Sequence, residues 1–249
     1  MILEFAFGLL LAIHPAAAFE SVEAVNSWER LADDVRDGKI PKEQALKDLK
    51  VTLEKLNQWA GAFSYEKNQK WIFPLKGYAL SSIGGKRGDG YQPDIVYGAS
   101  PIKGYDFFDG NRHGGHPAHD IFIADKNQDS LDDKTKNPVD VIAIVDAAVI
   151  GTDTDWKPGS PLRGGNVIWL YSSELKLIFY YAHLGKISAQ PGQFKKAGEA
   201  LGHVGRTGLL AEKPKSPTHI HLMVLKPEGN TLVPVNYYSN LKAGVSLAK

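Results

Sequence analysis

The sequence predicts a mainly β protein, an antiparallel β-sheet domain preceded by a pair of helices, on three observations. From Trp71 onward, short β-rich runs alternate with clusters of Gly, Pro, Asn and Asp. No helical period longer than a few turns interrupts those runs. Ahead of them, residues 20–60 carry apolar side chains at helical spacing.

Each element has its own signal. The chain opens MILEFAFGLLLAIHPAAAFES, in which the apolar run Phe5–Ile13 is too short to span a bilayer as a helix. Ala16, Ala17 and Ala18 then place small residues where a signal peptidase reads. The expectation is a secretory signal over residues 1–18, hence an exported protein of the periplasm or cell surface with no membrane span in the mature chain. A buried N-terminal helix is the alternative, since no Lys or Arg precedes the run and Glu4 does. Residues 19–70 form the expected helical segment, split at Gly38-Lys39-Ile40-Pro41, where Gly suits a helix end and Pro a helix start. After the split Ala45, Leu46, Leu49, Leu53, Leu56 and Ala60 recur at helical spacing, implying a docking stripe and no catalytic residue. Residues 71–249 form the expected β domain, with strands at Asp120–Ala124, Val139–Val145, Ala148–Thr152, Asn166–Tyr171, Leu177–Ala182 and His219–Leu225. Gly192 to Gly208 reads as turn-rich, and Gly84–Gly115 carries no assignable pattern.

Composition narrows the function classes. Apolar residues at 43% and charged residues at 23% exclude a mostly disordered chain. Lys and Arg total 29 against 28 Asp and Glu, so no charge excess points to nucleic acid or a membrane surface. With no cysteine there is no disulfide framework, thiolate metal site or Cys nucleophile. The eight histidines become the informative residues.

His219 and His221 lie two apart at the head of an apolar strand, so both imidazoles share one face. Such a pair suits a metal site, or a ligand beside a proton-transfer group. His116 precedes Asp120, which opens another apolar strand, and Pro117 rules out a helical pair. A loop bringing His116 beside Asp120 supplies one nitrogen and one oxygen ligand. One imidazole from the His-x-His completes two His and one carboxylate, with a fourth position left for water as in catalytic zinc. His183 ends a strand in Tyr181-Ala182-His183-Leu184 and is followed by Gly202 to Gly208.

These four motifs, in this order, resemble the lysostaphin/LytM-type zinc endopeptidases of bacterial cell walls. The resemblance runs from about Phe73 to Tyr238 and implies a LytM-like antiparallel β domain. It implies His116, Asp120 and His221 as zinc ligands, with His183 and His219 as unliganded catalytic histidines. Zinc there lowers the pKa of its water to about 7 and polarises a peptide carbonyl. No His-Glu-x-x-His helix supplies a Glu base, and a pair of imidazoles can take that part.

The chain departs from the family pattern at Ala118, usually Gly, and at His119, usually small and apolar. His119 follows the strand alternation away from the metal, the alternative being a competing ligand. His113 and His203 read as exposed loop histidines, and His14 lies in the signal. An acidic insertion, Asp125 to Asp133, has part of a calcium-loop spacing but Ser130 at its sixth position and Lys136 at its twelfth, so it reads as a solvated turn. Tyr97, Tyr105, Phe107 and Phe108 precede His116 and suit a peptide groove or local packing.

The leading expectation is a secreted zinc metalloendopeptidase (cofactor Zn²⁺) that hydrolyses peptide bonds of peptidoglycan cross-bridges or stem peptides. The alternative is a catalytically inactive scaffold or activator of cell-wall hydrolases with the same fold. All five chemical residues stand in this sequence, which argues for activity.

Overall fold

A computed structural model describes residues 15–85, 88–93 and 102–248. The expected signal falls largely outside them, as do His14 and Tyr97. Helix α1 spans Pro15–Arg36, so Ala16, Ala17 and Ala18 lie in its first turn. Helix α2 spans Lys42–Ala60. Between them, the Gly38 and Lys39 amides donate to the carbonyls of Val35 (3.1 Å) and Asp34 (2.8 Å), closing α1 at the predicted break.

Among the described residues ten strands follow: β1 (His119–Phe122), β2 (Asp140–Ile142), β3 (Ala147–Asp153), β4 (Val167–Ser172), β5 (Leu177–Ala182), β6 (Leu184–Ile187), β7 (Phe194–Lys195), β8 (Ala200–Val204), β9 (His219–Glu228) and β10 (Thr231–Pro234). A short helix, α3 (Tyr238–Ala243), closes the fold. All pairing between strands is antiparallel. The large sheet runs β1-β9-β5-β4-β3-β7 with β10 also on β9, and the small sheet runs β2-β8-β6.

Alternation along the central strands sends side chains into two cores. Phe179, Tyr181, Ile220, Leu222 and Val224 face the small sheet, packing with Phe73, Val141, Leu201 and Tyr237. Ile178, Met223, Leu225, Ala148 and Ile150 face the helices and pack with Trp28, Leu49 and Leu56. Since both faces are covered, β5 is apolar almost throughout. The predicted α2 stripe therefore docks on the sheet itself, with Ala45, Leu49, Leu53, Leu56 and Ala60 buried.

Three expectations change in detail. Only Asp140–Ile142 of the expected Val139–Val145 run pairs as a strand, and its register slips between Val141 and Ile142. The stretch expected to be turn-rich holds β7 and β8. Its Gly202 lies so close to β6 that a Cβ would meet the Lys186 carbonyl oxygen at 2.0 Å, so glycine allows the approach while hiding the strand signal. The unassigned stretch contains a 3-10 turn at Phe107–Arg112, and another at Leu80–Ser82 precedes it. Among the described residues no helix is long and apolar enough to cross a membrane.

Candidate metal centre

Strand register assembles the site. Asp120 on β1 lies directly opposite His221 on β9, and His221 lies opposite Ala182 on β5. Period-2 alternation puts His219, His221 and Met223 on one face, the helix-facing one. The helices cover Met223 and Leu225 farther along that face and leave its His219 end for the site. His116 reaches it from the loop before β1.

His116 Nε2 lies 3.1 Å from Asp120 Oδ1, and His221 Nδ1 lies 3.1 Å from His116 Nε2 and 3.2 Å from Asp120 Oδ1. Tetrahedral coordination at roughly 2.0–2.1 Å sets ligand atoms about 3.3 Å apart, close to this triangle. Two imidazole nitrogens and a carboxylate oxygen converge here within hydrogen-bond distance of one another, and a divalent cation would replace the protons they share. Among the described residues this is the group of three or more His, Asp or Glu side chains able to hold a metal ion. Burial acts to raise the Asp120 carboxyl, but hydrogen bonding with His116 and His221 outweighs it and holds the group well below the usual range. Burial pushes His221 down to about 4.

Two more imidazoles border this triangle. His183 follows β5 with φ +65°, a left-handed conformation that turns its ring toward the others. Its ring centre stands 4.9 Å from that of His219 and 5.9 Å from that of His221. His183 Nδ1 lies 2.8 Å from the Thr207 carbonyl, so it carries the proton and leaves Nε2 as an acceptor. Burial first, then the neighbouring His219, keeps His183 well below its ordinary pKa and hence neutral. His219 repeats the pattern, with Nδ1 2.6 Å from the Pro217 carbonyl and Nε2 3.8 Å from Asp120 Oδ1.

The Gly202–Gly208 turn holds His183 in place. Thr207 Oγ1 donates to the Leu184 carbonyl (2.9 Å) and accepts from the Asn166 amide (2.9 Å). Gly208 has φ +117°, and a Cβ there would meet the Arg163 carbonyl oxygen at 2.5 Å and His183 Nδ1 at 2.8 Å. Arg206 donates to the Ser216 carbonyl (2.7 Å) and Thr218 Oγ1 (3.1 Å), fixing the approach to His219.

The five imidazole and carboxylate groups line a cavity of about 170 Å³ together with residues that the sequence reading does not single out, Arg163 and Tyr180 among them. His113 also lines it, contrary to the expected exposed loop position. Its Nδ1 lies 3.1 Å from the Gly115 carbonyl, its ring packs on Tyr105 at 4.8 Å, and burial holds it at about 4. Arg163 donates to the carbonyls of His113 and Asn111, bracing that loop. His119 points to the opposite face, fully buried against Tyr237 with ring centres 4.6 Å apart. His203 is half-buried on β8, 3.4 Å from Asp140, rather than in a loop. In the acidic insertion Asp125 is buried, and its carboxylate accepts from the amides of Asp129 (3.1 Å) and Ser130 (2.8 Å) and from Thr218 Oγ1 (2.7 Å), so it stitches the turn to β9.

Residues 126–234 match the model of peptidase family M23. The M23 match takes in His183, His219 and His221, while His116 and Asp120 lie just ahead of it. No curated protein matches the chain. Solved structures similar to it include lytM from Ruminococcus gnavus ATCC 29149, at 21% identity over 92% of this chain and 89% of that one, TM-score 0.45. A zinc-containing peptidase from Vibrio cholerae has 20% identity over 71% of this chain, TM-score 0.40, and the present chain covers 41% of that chain's length. The catalytic domain of the antimicrobial peptidase lysostaphin from Staphylococcus simulans has 20% identity over 75% of this chain and 97% of that one, TM-score 0.37.

Proposed function

We propose that this chain is an exported zinc metalloendopeptidase that hydrolyses peptide bonds of peptidoglycan cross-bridges or stem peptides. The observation that carries this is the triangle of His116 Nε2, Asp120 Oδ1 and His221 Nδ1, with edges of 3.1–3.2 Å, bordered by two imidazoles that are not part of it. The match of residues 126–234 to a peptidase family model supports the reaction class. The intact set of five residues favours an enzyme over an inactive scaffold.

In this proposal His116, Asp120 and His221 hold zinc. Bound there, zinc would lower the pKa of a water to about 7 and polarise the scissile carbonyl. The remaining work falls to His183 and His219. Each has its Nδ1 proton fixed on a carbonyl, of Thr207 and Pro217 respectively, so each offers Nε2 for proton transfer. One accepts a proton from the attacking water. That imidazole passes the proton to the departing amine nitrogen as the C–N bond breaks, while the second, once it carries a proton on Nε2 as well as Nδ1, donates toward the oxygen that gains charge. Burial keeps His183 neutral and ready to accept.

The test is digestion of purified peptidoglycan by the zinc-loaded protein, with products mapped by mass. New free amino groups in the peptide portion, with the glycan intact, are expected. Products cut in the glycan, or none, would contradict the proposal.

A further inference from the structure

A second cavity, of about 260 Å³, lies between α1 and the helix-facing side of the sheet. It adjoins the metal centre, and His113, Arg163, Gly164, Tyr180 and His221 line both spaces. One wall comes from α1 through Glu29, Asp33 and Arg36, outside the residues matched by the peptidase family.

The end remote from the metal centre is acidic. Glu29, Asp33 and Asp153 line it beside Arg36, while the cavity's second guanidinium, Arg163, stands at the end shared with the metal centre. Arg36 is shared among three carboxylates, at 2.8 Å from Asp33, 2.7 Å from Asp37 and 2.5 Å from Asp153. Glu29 accepts only a backbone amide, that of Thr152 at 3.2 Å, and no cation pairs with it among the described residues. Burial raises the Glu29 carboxyl against the Thr152 amide, with the Asp33 charge adding to the push, and burial likewise raises Asp33 against the charge of Arg36. Phe107, Trp169 and Tyr180 form aromatic walls, with Trp169 and Tyr180 ring centres 4.3 Å apart. Aromatic faces accept an aliphatic stem and favour a cation at its end.

We propose that this cavity is a specificity subsite for a substrate residue whose side chain carries an aliphatic stem ending in an ammonium group. The proposal rests on the peptidase reading for its substrate, since a peptide lying across the metal centre can drop one side chain past His221 and Tyr180 into the cavity. The ammonium then meets Glu29 and Asp33 of α1, which gives the N-terminal hairpin a part in substrate choice.

The test is calorimetric binding of two short wall-type peptides to the full-length protein, one with a lysine side chain and the other with norleucine at that position, alongside their hydrolysis. A charge-assisted hydrogen bond to a partly buried carboxylate corresponds to about tenfold in affinity, so the lysine peptide should bind about tenfold more tightly. The double variant Glu29→Gln, Asp33→Asn should lose that difference while still binding zinc. Equal affinity of the wild-type protein for the two peptides overturns the subsite, whether or not either is cleaved. A retained preference in the double variant overturns the assignment to these two carboxylates. Preferential binding of the lysine peptide without cleavage supports the subsite and counts against the peptidase reading alone.

Discussion

Replacing Trp28 tests how firmly the hairpin is built into the fold. Trp28 is fully buried, with ring centres 5.2 Å from Trp169 and 6.0 Å from Phe107. A Trp side chain buries on the order of 200 Å², and at about 25 cal/mol/Å² its transfer amounts to about 5 kcal/mol. Its Nε1 proton is buried without a partner among the described residues, so truncation also removes an unmet donor, an offset of about 1–2 kcal/mol. Trp28→Ala should therefore destabilise by about 3–4 kcal/mol, in the range measured for large-to-small core changes. With a urea slope of about 3 kcal/mol/M, the unfolding midpoint falls by about 1 M. Trp28→Phe keeps a ring on Trp169 and discards the orphan donor, and should shift the midpoint far less. A Trp28→Ala midpoint equal to wild type would refute the shared core between hairpin and sheet.

Three further outcomes follow from the site and its surroundings. His183→Ala and His219→Ala should keep zinc and lose about 10²–10⁴-fold in peptide hydrolysis, and near-normal turnover by a folded, zinc-loaded His183→Ala protein would exclude the proton-transfer role. Gly208→Ala forces a Cβ onto His183 Nδ1 and the Arg163 carbonyl, so turnover should fall while zinc content stays near one per chain; unchanged turnover would show that His183 is not held by this turn. Asp37 is held at about 2, chiefly by its hydrogen bond from Arg36, against opposition from burial. A carboxyl lowered in the folded state stabilises above its usual pKa near 4, and that contribution is lost as pH falls toward 2. The stability gap between wild type and Asp37→Asn should therefore close over that interval, and a gap constant down to pH 2 would contradict the pairing.

Local periodicity carried much of this fold. His219 and His221 share a face because strand alternation has period 2, and the same rule turned His119 away from Asp120. The α2 stripe was legible because its burial repeats with the helix, yet its partner surface was not, since Ile178, Met223 and Leu225 come from strands far along the chain. His183 stands in a left-handed turn whose position depends on Thr207 and Gly208, so only its motif drew attention to it. His113, Arg163 and Tyr180 gave no pattern of their own. They meet at the cavity because Arg163 braces the loop of His113 over the end of β5, a long-range arrangement invisible to sequence spacing. β8 escaped because the close approach that demands Gly202 also removes the β-branched residues by which a strand is recognised.

Zinc content of the purified protein, measured beside that of His116→Ala, Asp120→Ala and His221→Ala, tests the proposed centre most directly. One zinc per wild-type chain is expected, and each variant should lose most of it, because two remaining ligands do not hold the ion in the geometry of a three-ligand site. A folded His116→Ala protein that keeps one tightly bound zinc would contradict the assignment.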